Sequence, residues 1–373
     1  MLKRIYVNNF RCLVNFELNF DHLNLILGYN GSGKSTLFDV IRKLQQFIIN
    51  DFKVEEVFKY SDLTRWQKSD IQSFELEFIL DNKVYKYCLD VRYETSIHPL
   101  INRESLNVDN ENLFEVETIK DKEDNSFYNE FRVISVFHEK KLSQKISSSK
   151  SVFSFSRMIG HSSLFIQGLS NIFIAHINPF DMNSESRTED NLPLKDLSNF
   201  SAWYSHLSQS EQGKIIKLTL ELQKVLTGFD SFQNKRIGEA RLLSALFTSP
   251  SKTSYKFNEL SEGQKVLIAL YTLLYCTPDE NCTLMIDEPE NFLALPEIQP
   301  WLSKLIDRCT EDNVQAILIS HHPSLINSLA TNYGYWFERK DNQPVRVQKI
   351  VDEGEEGGLS IAKLIEMKWI YDQ

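Results

Sequence analysis

The chain has 373 residues, 42% apolar and 25% charged, with a formal charge of −10. These values suit a soluble globular protein of one large domain or two ordinary ones. They count against a uniformly basic nucleic-acid coat, although a local basic groove stays compatible with them.

Three strands are expected first: Arg4 to Phe10, the alternating Phe16, Leu18 and Phe20, and Leu23 to Leu27 ending at Gly28. Leu37, Val40, Ile41, Leu44 and Phe47 then recur at helical spacing, which predicts an amphipathic helix from Ser35 to about Ile49. Phe74 to Leu80 and Val84 to Val91 read as a hairpin about Asp81-Asn82-Lys83. Residues 95 to 165 are polar and show no assignable periodicity; within them the serine-lysine stretch Lys140 to Ser156 reads as loop-rich. Ile172 to Ile177 is a strand stopped by Asn178-Pro179, and residues 191 to 247 read as helices. The remainder alternates: helix Ser261 to Tyr275, strand Thr283 to Ile286, helix Pro296 to Cys309, strand Ala316 to Ile319. Strands Tyr335 to Glu338 and Val345 to Ile350 and a last helix near Ser360 to Ile370 follow. Strands alternating with helices imply an α/β sheet.

No apolar run reaches membrane-spanning length, the longest being Val266 to Leu274, and the N-terminus lacks the apolar stretch of a signal peptide. The expectation is a cytoplasmic protein without a membrane span. Cys12, Cys88, Cys276, Cys282 and Cys309 form neither a CxxC pair nor a zinc spacing, and read as reduced thiols, mostly in the core.

Gly28-Tyr29-Asn30-Gly31-Ser32-Gly33-Lys34-Ser35 fits GxxxxGK[ST] at every fixed position, between an apolar strand and an amphipathic helix. Glycines let backbone N–H groups turn inward around a phosphate, and the helix N-terminus adds partial positive charge. Lys34 is then placed for the β- and γ-phosphates and Ser35 for Mg²⁺, with Thr36 in the same first turn. Thr283 to Ile286 is an apolar strand ending in Asp287, Glu288, Pro289 and Glu290. Ligands of open α/β sheets bind at strand carboxyl ends. Asp287 is therefore the candidate Mg²⁺ holder and Glu288 the candidate general base for an attacking water. Glu290 reads as a surface acid.

Leu260-Ser261-Glu262-Gly263-Gln264 opens the apolar helix, with Ser261 a good N-cap. It resembles the LSGGQ signature of ABC ATPases, with Glu262 in place of one glycine, and it lies between the phosphate loop and the acidic strand as in that class. The resemblance implies that two copies face each other head to tail. Ser261, Gly263 and Gln264 of one copy would then complete the ATP site of the other in a C2 homodimer or higher oligomer. It implies ATP and Mg²⁺ as ligands. It also makes His321, in Ser320-His321-His322-Pro323 after a strand, a switch residue near the γ-phosphate, with His322 structural. The catalytic set it implies is Lys34, Glu288 and His321. Gln167 and Gln72 are the candidates for the glutamine of the class's Q-loop.

Within the class, the opening with Asn9-Phe10-Arg11 and the run Asp287-Glu288-Pro289-Glu290 resemble the RecF, SMC and OLD branch, over roughly residues 1–50 and 255–330. Tyr29 departs from the branch's frequent proline. Ala294 also departs, standing where many relatives carry Asp or His, with Leu295 inserted before Pro296. About 225 residues separate Ser35 from Ser261 without a heptad run, so no long coiled-coil arm is expected. Some 85 residues follow Glu288, leaving little room for a TOPRIM nuclease. The tail acids Asp352, Glu353, Glu355 and Glu356 read as solvated.

The implied architecture is an ABC ATPase head: an α/β P-loop core sheet, an antiparallel β subdomain and a helical lobe. It divides into residues 1–190, 191–258 and 259–373. The implied function is an ATP-driven switch in DNA repair or anti-phage defence, working with a separate effector such as a nuclease. Alternatives are an ATP-gated assembly module with little turnover and a transporter ATPase subunit. Lys140, Lys141, Lys145, Lys150 and Arg157 form the candidate DNA-facing patch, weighed against a solvated loop.

Overall fold

The computed structural model describes residues 1–94, 99–120, 127–133, 144–146, 148–154, 162–248, 251–340 and 343–350. The expected helix near Ser360 to Ile370, the tail acids, Lys140, Lys141 and Arg157 lie outside these residues. The chain forms two compact units, Met1–Ile172 with the stretch from Ala330, and Phe173–Leu329.

The first unit opens with β1 (Leu2–Asn8), β2 (Phe16–Asn19), β3 (Leu23–Leu27), α1 (Lys34–Ile48) and α2 (Val54–Val57). It continues with β4 (Ile71–Leu80), β5 (Lys83–Tyr93), β6 (Pro99–Val108), β7 (Glu111–Lys120), β8 (Phe127–Val133), β9 (Gln144–Ile146) and α3 (Ser162–Ser170). Strands β1, β2 and β4–β9 form an antiparallel sheet in the order β2-β1-β4-β5-β6-β7-β8-β9. The turns explain its tightness. Asp81 and Asn82, then Asp109 and Asn110, all take positive φ, as two-residue hairpins require. Residues 99–133, a polar stretch to which the sequence assigned no element, carry β6, β7 and β8. Their polar residues alternate with buried ones such as Ile101, Leu106 and Phe114, so one face is solvated and one packed.

Helix α1 buries Leu37, Val40, Ile41, Leu44, Phe47 and Ile48. Each such side chain contributes about 1.5–3 kcal/mol. Ring contacts run from Phe47 to Phe58, Phe58 to Phe74 and Phe74 to Phe10, tying the helix to the sheet. The Gln45 side-chain amide donates to the carbonyls of Leu169 and Ile172, anchoring the end of α3.

The second unit contains β10 (Ile172–Ala175), which begins at the boundary, β11 (Glu185–Ser186), α4 (Phe200–Ser210), α5 (Gln212–Val225), β12 (Phe229–Ile237), β13 (Ala240–Phe247) and β14 (Thr253–Lys256). Then come α6 (Glu262–Cys276), β15 (Thr283–Asp287), α7 (Leu295–Glu311), β16 (Gln315–Ile319) and α8 (Pro323–Tyr333). The helical reading of residues 191 to 247 holds through α5 and fails after it. Gly228 and Gly238, both at positive φ, break the chain, and β12, β13 and β14 pair antiparallel between and beyond them. The order β10-β15-β16 places β15 centrally, with β15 and β16 parallel. All five residues of each are buried, as two-sided burial of a parallel pair requires.

The chain returns to the first unit with β17 (Gly334–Glu338) and β18 (Arg346–Lys349); β17 runs parallel to β3 and antiparallel to β18. No described helix is long and apolar enough to cross a membrane. Cys12, Cys276, Cys282 and Cys309 are buried and free. Burial pushes the Cys276 and Cys309 thiols up to about 12 and Cys282 to about 11, which keeps all three protonated and unreactive.

Candidate functional site

The phosphate loop lies wholly in the first unit. Gly28, Gly31 and Gly33 take φ of 145°, 79° and 98°, conformations that disfavour L side chains. A Cβ on Gly28 would stand 2.3 Å from the Phe337 carbonyl oxygen of β17, so the loop is pressed against that strand. A Cβ on Gly33 would stand 2.8 Å from Val345 and 2.9 Å from the Cys12 sulfur.

Helix α1 starts at Lys34 with Gly33 as its left-handed cap, no side-chain cap and no acid in its first turn. No first-turn carboxylate competes for its positive end. Lys34 is 6% exposed, and its ammonium donates to the carbonyls of Gly28 at 2.7 Å and Tyr29 at 3.1 Å. The Ser32 hydroxyl is buried and has no hydrogen-bond partner in the protein. A buried donor without an acceptor is costly, and a phosphate oxygen is the acceptor this cradle suits. Ser35, Asn30 and Gly31 are exposed, and Thr36 accepts a weak 3.8 Å bond from the Cys12 thiol. These residues fit a nucleotide triphosphate.

Two contacts around the loop carry no signal in the sequence. Arg339 donates to the Gly31 carbonyl at 3.3 Å and to Gln343 at 2.9 Å, and lies 5.3 Å over the Trp66 ring. Tyr29 packs edge-on against Trp336. Arg11 of the Asn9-Phe10-Arg11 motif pairs with Asp62 at 2.8 Å and with Asp39 of α1 at 2.9 Å, and Lys43 pairs with Asp62 at 3.0 Å. Burial opposes charge on Asp62. Hydrogen bonds and charge from Arg11 and Lys43 outweigh it and hold the carboxyl below its ordinary range. The motif therefore fixes the body of α1 behind the loop.

The acidic and signature residues lie in the second unit. Asp287 ends β15, 8% exposed. Glu288 follows at φ 53°, a strained conformation for a non-glycine residue. Its N–H donates to the Ile319 carbonyl at 2.8 Å, and its carboxylate accepts from Asn291 at 2.7 Å. Glu290, expected at the surface, is instead buried. It accepts from the Ser320 hydroxyl at 2.6 Å and the His321 N–H at 3.3 Å. His321 is exposed, whereas His322 caps the start of α8 by accepting from the Ser324 N–H at 3.2 Å.

Ser261 and Gln264 form a reciprocal cap at α6: Ser261 Oγ accepts from the Gln264 N–H and Gln264 Oε1 from the Ser261 N–H. A Cβ on Gly263 would stand 2.9 Å from the Phe292 carbonyl oxygen, so glycine lets the turn after the acidic strand approach the signature helix. Ala294 is the N-cap of α7, and Leu295 begins the helix.

Gln72 is buried with both ends of its amide in use, donating to the Asn9 carbonyl and accepting from Tyr93. Gln167 is exposed on α3. The side chain found beside Asp287 is His176, just past β10, at 3.6 Å. Its one signal in the sequence is its place after a short apolar strand. Of the basic patch, Lys150 is described with its side chain, and it is paired with Asp51 at 2.6 Å.

Residues 23–327 match the family model described as "AAA domain, putative AbiEii toxin, Type IV TA system". None of the curated proteins matches the chain in sequence. Among solved structures, the fold is similar to an SMC head crystallised with the C-winged helix domain of ScpA. The TM-score is 0.59 at 13% identity, over 94% of this chain and 98% of that one. The SMC head domain from Thermotoga maritima gives 0.47 at 13% identity, with the same coverages.

Proposed function

This chain belongs to that AAA family and has the fold of an SMC-type, ABC-class ATPase head, and from that premise we propose that it binds and hydrolyses ATP with Mg²⁺. The observation that carries the reading is the phosphate cradle: three glycines at positive φ, a buried Ser32 hydroxyl without a partner and Lys34 at the head of an uncapped helix. In this reading Ser35 and Asp287 hold Mg²⁺, Glu288 orients and deprotonates the attacking water, and His321 senses the γ-phosphate. When bound, Mg²⁺ supplies neutralisation of charge on the phosphates. The order of motifs along the chain supports assigning both sets to one nucleotide.

We further propose that ATP joins two copies, with Ser261, Gly263 and Gln264 of each completing the site of the other. Closure then acts as a switch for a separate effector in DNA repair or anti-phage defence, in the cytoplasm. The family's description supports the defence setting. The similar SMC head, solved with the winged-helix domain of ScpA, supports a separate protein partner.

The test is the solution mass of the Glu288→Gln protein with and without ATP and Mg²⁺. A mass that doubles with ATP, and does not double when Ser261→Arg is added, is the expected result. An unchanged mass overturns the composite site. Turnover by the unsubstituted protein separates a hydrolysing switch from an assembly module.

A further inference from the structure

We propose that Asn30 is a self-modification site: in the empty phosphate loop the Gly31 backbone nitrogen converts its side-chain amide to a carboxylate, and bound nucleotide prevents this. The protection rests on the loop binding nucleotide; the chemistry does not.

The chain holds one Asn-Gly pair, Asn30-Gly31, and it lies inside the loop. Glycine has no Cβ to crowd an attack by its own nitrogen. Both residues are exposed, and a Cβ on Gly31 would meet nothing within 4 Å. They are the central residues of a turn closed by the Ser32 N–H on the Tyr29 carbonyl at 3.1 Å, with Gly31 at φ 79° as a type II turn needs. That bond engages neither the Asn30 side-chain amide nor the Gly31 N–H. Among the described residues, neither group has a hydrogen-bond partner. Asn183 is the contrast: it is exposed too, but serine follows it and its amide donates to the Asp181 carbonyl at 3.1 Å.

The Gly31 nitrogen forms a bond to Cγ of Asn30 and gives up its proton. The bond from Cγ to Nδ2 breaks, and ammonia leaves with that proton. Water then opens the cyclic imide at either carbonyl, leaving an aspartyl or an isoaspartyl residue at position 30. Negative charge develops on the amide oxygen during the attack. Arg339 on the Gly31 carbonyl at 3.3 Å, Lys34 on the Tyr29 carbonyl at 3.1 Å and the uncapped start of α1 supply positive potential there.

Either product sets a carboxylate where the loop would hold phosphate, and like charges repel at this range. A bound phosphate engages the N–H groups of the loop and holds the turn closed, which keeps the nitrogen from Cγ. A chain that stays empty therefore loses its site irreversibly, and a loaded one keeps it.

The experiment ages the full chain at mildly alkaline pH, with and without Mg²⁺ and a slowly hydrolysed ATP analogue. Peptide mass spectrometry reads amide loss at each asparagine, and equilibrium titration reads affinity for the analogue. Conversion at Asn30 should outpace that at Asn183, and analogue at about ten times its dissociation constant should slow it about tenfold. Affinity should fall in step with the converted fraction. Fresh Asn30→Asp should bind the analogue about tenfold more weakly than the unsubstituted chain, with its thermal midpoint reporting on folding. Asn30→Gln, whose larger ring closes more slowly, should lose no affinity on ageing. Conversion at Asn30 no faster than at Asn183 overturns the site. Conversion unslowed by an analogue that titration shows to be bound overturns the protection. If titration shows no analogue bound, the phosphate-site reading falls, and the rate in the empty loop alone decides the modification site.

Discussion

The Ser320 hydroxyl donates to Glu290 at 2.6 Å in a buried contact, and the same carboxylate oxygen accepts from the His321 N–H at 3.3 Å. Glu290 thus ties the turn after the acidic strand to the loop that carries the candidate switch histidine. Glu290→Ala would leave a buried hydroxyl without its acceptor, at about 1–3 kcal/mol. ATP turnover should fall about tenfold or more in Glu290→Ala, while nucleotide affinity stays within about twofold. Glu290→Gln keeps an acceptor and should be milder. Steady-state turnover and equilibrium nucleotide titration on both variants check this.

Lys34 holds the carbonyls of Gly28 and Tyr29 from within the loop. Lys34→Ala removes both that brace and the loop's own ammonium. Affinity for a fluorescent ATP analogue should fall at least tenfold, about 1.4 kcal/mol or more, with secondary structure unchanged by circular dichroism.

Gly28→Ala places a methyl group against the Phe337 carbonyl at a φ that L residues avoid. Strand β17 cannot yield without disturbing its parallel pairing to β3. The expected cost is about 3 kcal/mol or more, read as a thermal midpoint lower by roughly 5–10 °C.

Asp62 gives a pH-dependent contribution of known sign. Its folded value lies below the ordinary 3.8, so the folded state binds fewer protons there than the unfolded one. The stabilisation is present above pH 3.8 and is lost as pH falls through the lower folded value. Asp62→Asn should cost about 2 kcal/mol near neutral pH. The gap to the unsubstituted protein should close in strong acid, as denaturant titrations at several pH values would show.

Much of the candidate site was legible because its residues act locally. Gly28 to Ser35 is one turn whose conformation is written in its glycines, and Ser261 to Gln264 is a self-contained helix cap. Asp287 and Glu288 end a short apolar strand. The strands β6 to β8 were missed because a sheet with one solvated face carries as many polar residues as a loop. The strands after α5 were missed because Leu242, Leu243, Leu246 and Phe247 suit a helix as well as a half-buried hairpin.

By itself, then, the sequence determined the P-loop class, the order of the motifs and the identity of the residues offered to phosphate, since these follow from backbone conformation over fewer than ten residues. Only the tertiary structure decided which side chains stand behind them: Arg339 on Gly31, Glu290 under Ser320 and His176 beside Asp287. Each of those pairs joins residues tens to hundreds of positions apart. No local periodicity encodes such a contact; strand order and sheet register bring it about.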